Sequence, residues 1–218
     1  MLEVILDTET TGLSISQKHR ILEICCLELE NQIPTGKVFH EHINPERPIS
    51  EDAHKVHGYT SEFLSTKKKF AEIADKFINF ISDKKIVIHN APFDLSFLNY
   101  ELQLANKKGI EKKNILDTLE LARQKYPGAQ NSLDALCKRF NISNLKRQKH
   151  NALLDCQLLR EVYINLLDQK EPKLNLESKE IVETKFKSIN KENNNLRKII
   201  LPSKEELDLH KKFIKSQL

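Results

Sequence analysis

No stretch of this 218-residue chain approaches the roughly 18–20 consecutive apolar residues of a membrane span, so a membrane partner is not expected. No basic-then-apolar leader precedes the first strand-like run, and no signal peptide is expected either. Cysteine is scarce. Cys25, Cys26, Cys137 and Cys156 show no CxxC spacing, which argues against a thiolate metal site. They read as buried free thiols of a reducing cytoplasm. An internal repeat is also missing. Charge of one sign is lacking over most of the chain: residues 1–168 carry 23 basic and 23 acidic side chains, and the net +4 lies in residues 169–218. That balance excludes a strongly basic nucleic-acid clamp. If residues 1–168 act on nucleic acid, they hold a short piece of it.

What is present is a regular alternation of elements. Leu2–Leu6, Arg20–Glu30 and Gly36–Ile43 read as strands, with a turn over residues 31–36, and suggest an antiparallel meander. Ser50–Val56 reads as a short helix ended by His57-Gly58. Phe70, Ile73, Ala74, Phe77, Ile78 and Ile81 form a helical stripe. Lys85–Ile88 is a strand, Phe93–Asn106 a helix and Asn114–Asp117 a further short strand. Asn131 is expected to cap a helix carrying Leu133, Leu136, Cys137 and Phe140. A last helix runs from Asn151 to Leu167. The pattern predicts an α/β layer with a mixed sheet.

Three short segments carry acids at places where acids are costly. In Asp7-Thr8-Glu9-Thr10-Thr11-Gly12, strand alternation puts Asp7 and Glu9 on one side. Two carboxylates about 4 Å apart repel by roughly 4 kcal/mol at an effective dielectric near 20, so such a pair calls for a cation. Read alone, it can also be a solvated strand end. His89-Asn90-Ala91-Pro92-Phe93-Asp94 leaves a strand where α/β sheets tend to place sites, although Asp94 could simply stabilise a helix N-terminus. His150-Asn151-Ala152-Leu153-Leu154-Asp155 sets Asp155 on the apolar stripe of Leu158, Leu159 and Val162. An ionised acid there needs a partner or a metal. Together Asp7, Glu9, Asp94 and Asp155 offer an all-oxygen set suited to two Mg²⁺ or Mn²⁺ ions. Two such ions can clamp the attacking and leaving oxygens of a phosphodiester. An imidazole, with an ordinary pKa near 6.5, suits proton abstraction from water, and His150 is the candidate.

These three segments resemble the motifs of the DEDDh (DnaQ-like) 3′→5′ exonucleases. Val56-His57-Gly58, the Asn131–Cys137 stretch and Glu161-Val162-Tyr163 support the resemblance, which covers about residues 2–168. It implies an RNase H-like fold, a mixed five-stranded sheet flanked by helices, followed by a mostly extended tail. It implies metal binding by Asp7, Glu9, Asp94 and Asp155, with His150 as proton acceptor. Asp7, Glu9 and Asp155 are also grouped with the substrate contacts, as is Thr8 beside them in the first motif. Asp52 and His57 match positions that contact the terminal nucleotide. Leu13, Val56 and Phe93 would line its base and sugar, and core packing is their alternative reading. Pro92 stands where a small residue is more usual. The implied reaction releases nucleoside 5′-monophosphates from a frayed or single-stranded 3′ end. Selectivity for mismatches would follow from their easier unpairing.

The character of the chain changes near residue 169. We expect a catalytic domain over 1–168 and a linker with a docking segment over 169–218. The apolar run Ile199-Ile200-Leu201 lies in the latter. Ser203 and Glu206 then form a capping-box pattern ahead of a helix with Leu207, Leu209, His210, Phe213 and Ile214. Residues from Leu196 onward resemble the segment by which proofreading members of the family bind the alpha subunit of DNA polymerase III. Residues 171–176 read as a solvated linker, and a faint resemblance to a sliding-clamp peptide, with Glu where Gln is usual, is the alternative. Two other functions stay open from sequence: a stand-alone DEDDh nuclease that trims RNA or repairs DNA, and a non-catalytic binding module.

Overall fold

A computed structural model of the protein describes residues 1–145, 149–167 and 203–216. The chain divides into two units, Met1–Lys173 and Leu174–Leu218. The first unit opens with β1 (Leu2–Thr10), β2 (Ile21–Glu30) and β3 (Ile33–His42), the antiparallel meander expected. β1 runs past the expected end at Leu6 because Asp7, Thr8 and Glu9 pair with Cys25, Ile24 and Glu23 of β2. A polar run becomes strand when a neighbour supplies its backbone partners. The turn between β2 and β3 is only Asn31-Gln32, both at positive φ, the geometry of a two-residue hairpin. β3 therefore starts three residues before Gly36.

The helices α1 (Glu51–His57), α2 (Ser61–Ser65) and α3 (Phe70–Ile81) precede β4 (Lys85–Ile88). The helix α4 (Ala91–Leu104) starts earlier than the sequence suggests. Pro92 sits in its first turn, where a missing N–H leaves no bond unmade. The strand β5 (Ile115–Asp117) leads into α5 (Thr118–Lys125), α6 (Leu133–Arg139) and α7 (Ala152–Leu166). The expected cap of α6 is corrected by one residue. Ser132 is the N-cap, its hydroxyl accepting from Ala135 N–H. Asn131 instead donates to the carbonyls of Tyr126 and Ala129 and accepts from Arg139.

The sheet order is β3-β2-β1-β4-β5, with β4 and β5 parallel to β1, so β1 is the middle strand. Its alternate residues serve two cores. Val4 and Leu6 pack with α3 and α4, while Ile5 packs with Cys25, Val87 and the α6–α7 residues. Cys25 and Cys26 point to these opposite faces, and all four cysteines are buried and free. The parity of β1 puts Asp7 and Glu9 on the α7 face with Ile5, and Thr8 on the α4 face with Leu6.

The described part of the second unit is the helix α8 (Lys204–Ser216). Ser203 and Glu206 form the expected reciprocal cap: Ser203 N–H donates to Glu206, and Glu206 N–H donates to the Ser203 hydroxyl. Leu207, Leu209, Phe213 and Ile214 are exposed along it. The apolar run at 199–201 and the segment 171–176 lie outside the described residues. No described helix is long and apolar enough to cross a membrane.

Candidate active site

The first motif is a strand end stitched in place by its own threonines. Thr10 Oγ1 donates to the Gly12 carbonyl. Thr11 exchanges backbone contacts with Arg20 and Ser50, and its hydroxyl meets His19 Nδ1 at 3.0 Å. Gly12 passes so close to His19 that an added Cβ would lie 2.3–2.5 Å from the imidazole. Thr8 has a second task, because its N–H and its hydroxyl both donate to Asp94 Oδ1, at 3.1 and 2.7 Å. Burial pushes the Asp94 carboxyl up to about 7, opposed chiefly by the Thr8 hydroxyl.

The second motif is aimed by a residue that the sequence shows only as the end of a short strand. Asp117, at the end of β5, accepts from Asn90 N–H, Ala91 N–H and Leu119 N–H. One carboxylate thus caps the starts of both α4 and α5 and fixes the turn from which Asp94 projects. A short acid ending a strand beside two helix starts is the only sequence signal for this role.

The third motif enters α7 through Asn151, whose side chain accepts from Leu154 N–H. His150 N–H donates to the Val56 carbonyl, which ties this entry to α1. His150 Nδ1 then lies 3.4 Å from Asp155 Oδ2. Asp155 is buried on the inward stripe, as the sequence predicts.

Glu9, His150 and Asp155 converge, with ligand atoms all within 4.8 Å of one another. Two of the three donors are buried carboxylates, and that hard, oxygen-rich chemistry fits a divalent cation such as Mg²⁺ or Mn²⁺. Asp7 projects to the same face but stands outside that mutual group. Asp94 approaches from the α4 side of β1, where Thr8 holds it.

Next to Glu9 opens a cleft of about 430 Å³. Its walls include Glu9 itself and six more of the predicted substrate contacts, Thr8, Leu13, Asp52, Val56, His57 and Phe93, but not Asp7 or Asp155. Leu13 is 84% and Val56 44% exposed, so neither is core. Phe93 is partly buried against Phe97, the rings 5.1 Å apart. Asp52 is exposed and pairs with Lys55 at 3.2 Å. His57 is buried, and desolvation first, then His54, pushes its pKa down to about 4. Its Nδ1 accepts from Tyr59 N–H, so the neutral ring carries its proton on Nε2. That Nε2 is buried and forms no hydrogen bond of full geometry among the described residues, although the Thr10 backbone lies near enough to oppose the fall in pKa.

Comparison with known proteins gives a consistent picture. The family model described as Exonuclease matches residues 4–163. A DNA polymerase III subunit epsilon of Rickettsia felis is 48% identical over 222 residues, covering 99% of this chain and 96% of that protein. The Haemophilus influenzae protein of the same name is 40% identical over 98% of this chain and 89% of its own length. Among solved structures, exonuclease X in complex with 5′-overhanging duplex DNA is 26% identical, with a TM-score of 0.59 over 77% of this chain and 92% of its own. The nuclease domain of 3′hExo, a DEDDh member bound to rAMP, shares the fold at 17% identity, with a TM-score of 0.67 over 78% of this chain and 92% of its own.

Proposed function

This chain belongs to the exonuclease family, in the branch of the DNA polymerase III epsilon subunits, and from that premise we propose that it proofreads DNA. Membership makes it a 3′→5′ exonuclease of a divalent-metal-dependent family with the RNase H-like fold. The proposed reaction removes mismatched 3′-terminal nucleotides as nucleoside 5′-monophosphates, in the bacterial cytoplasm, as part of the replicative polymerase. The observation that carries this reading is the convergence of Glu9, His150 and Asp155 beside a cleft with exposed apolar walls.

In this mechanism Asp7, Glu9, Asp94 and Asp155 would hold two divalent ions. When bound, such ions supply Lewis acidity and charge neutralisation at the scissile phosphate. His150, oriented by Asp155 and by the Val56 carbonyl, takes a proton from the attacking water. The new O–P bond forms as the bond from phosphorus to the neighbouring 3′ oxygen breaks, and that oxygen takes a proton from solvent to become the new 3′ hydroxyl. Leu13, Val56 and Phe93 hold the splayed base by contact with its apolar faces. Such contact is tolerant of base identity, as a proofreader requires. His57, kept neutral by its low pKa, would contact the terminal nucleotide from the wall of the cleft.

Residues 1–168 would be the catalytic domain and 169–218 the linker and docking segment for the polymerase III alpha subunit. The exposed apolar residues of α8 support docking. The tether would hold the nuclease near the DNA, so its own domain need not be basic. Residues 171–176 would form part of that linker, with a sliding-clamp peptide as the alternative.

The test measures 5′-monophosphate release with Mg²⁺ from matched and mismatched 3′ ends of DNA and from RNA of the same sequence. Faster loss of mismatched DNA is expected, with kcat lowered about 10²–10⁴-fold by His150→Ala. Asp155→Ala should abolish release. A preference for RNA would move the protein to the stand-alone trimming function, and an inactive, folded wild type would leave a binding module.

A further inference from the structure

Glu23 belongs to none of the three motifs, yet its side chain is fully buried beside them. It pairs directly across from Glu9 on β1, so the two carboxylates share a face. Like charges opposite each other in a sheet repel, and a buried carboxylate needs donors. Glu23 has four. Oε1 accepts from His40 Nε2 at 2.7 Å and Asn151 Nδ2 at 3.2 Å. Oε2 accepts from the Tyr59 hydroxyl at 2.9 Å and Ala152 N–H at 3.1 Å.

Glu23, His40 and His42 also have ligand atoms within 4.8 Å of one another, the spacing of a metal site. The donors already seated on both oxygens argue for a hydrogen-bonded anchor instead. Burial and the nearby Glu23 carboxylate push the Tyr59 phenol above its usual range, so its hydroxyl keeps the proton it donates. The same oxygen accepts from Asn151 Nδ2 at 2.7 Å.

The two arms of this anchor lead to the two sides of the site. Asn151 and Ala152 directly follow His150 and begin α7, three residues before Asp155. Tyr59 stacks on His57, with ring centroids 5.2 Å apart and planes 24° apart, and its N–H fixes the His57 tautomer. We propose that Glu23 is a positioning residue for the nuclease site, one carboxylate that sets His150 through the start of α7 and His57 through Tyr59. This rests on the exonuclease reading above.

The test uses the full chain and three variants: Glu23→Gln, Tyr59→Phe and the double. Every partner of Glu23 donates, so a glutamine amide would turn its NH₂ on at least one donor while keeping the shape. Folding is checked by the unfolding midpoint, and the His150 and His57 rings are followed by ¹H–¹³C NMR without metal or DNA. In Glu23→Gln both ring signals should move, and kcat on a single-stranded oligonucleotide should fall about tenfold with KM changed less than about twofold. The double variant should be no slower than Glu23→Gln, because both act through one network. Unmoved ring signals and unchanged kcat in folded Glu23→Gln would overturn the proposal, and so would losses that multiply. Where Glu23→Gln does not fold, Tyr59→Phe decides, with the same ring shifts expected and a loss of about threefold in kcat. A wild type without nuclease activity would defeat the exonuclease reading instead, while the ring shifts would still decide the positioning.

Discussion

Single residues in this protein do two things at once, and Thr8 and Gly12 show it best. Thr8 is a strand residue that also supplies two donors to Asp94. Gly12 lies two residues past the end of the same strand and leaves room for the buried ring of His19. His19 lines the cleft and is held by the Thr11 hydroxyl, so it cannot swing aside freely. Gly12→Ala should therefore destabilise the protein by about 1–3 kcal/mol, read from urea unfolding. In a His19→Ala background the same change should cost less than half as much. Equal costs in both backgrounds would mean that the close approach is not what selects glycine. The sequence displayed the acids of all three motifs, because their spacing is local. It did not display Thr8 as the holder of Asp94, since that contact joins residues 86 apart in the chain.

At the scale of elements, strong periodicity was readable, and so was the short α1 through its Gly58 terminator, whereas α2 and α5 were not. The Phe70–Ile81 stripe appears in the fold with the bounds its sequence suggests. The helices α2 and α5 have five and eight residues, too few for a period to stand out. β1 outran its apolar run because β2 supplied partners, and Glu23 looked like one more strand residue until Tyr59 and Asn151 were brought to it. A second buried acid on β2 makes an element-scale prediction. Glu28 joins the end of α3 to the sheet through Lys84 at 2.5 Å, with Lys37 at 3.1 Å. Lys84 foremost holds its carboxyl down at about 2. A depressed folded pKa contributes stability above the ordinary value of about 4.5 and loses it as pH falls through about 2. Between those limits the wild type should lose unfolding free energy faster with acid than Glu28→Gln does. Parallel pH profiles of the two proteins would show that Glu28 is not the group responsible.

For the whole molecule, the proposed division of labour predicts separable losses. Deleting residues 170–218 should leave cleavage of free oligonucleotides within about twofold of the full chain and abolish binding to the polymerase alpha subunit. Gel filtration of the mixture and an oligonucleotide assay read the two effects. Retained co-elution would refute the docking assignment. The sheet order has a further consequence, for how the chain is made. The first strand to leave the ribosome is the middle strand of the finished sheet, and it must wait for β4 before its second edge is covered. Its other face waits longer, for α7, whose Cys156, Leu159 and Val162 join the core that includes Ile5 and Cys25. Contacts so distant in sequence make assembly slow and late. Because α7 also carries Asp155, the helix that closes this core would also complete the proposed acidic set. A nascent chain, or one terminated before α7, would therefore lack both the finished core and Asp155.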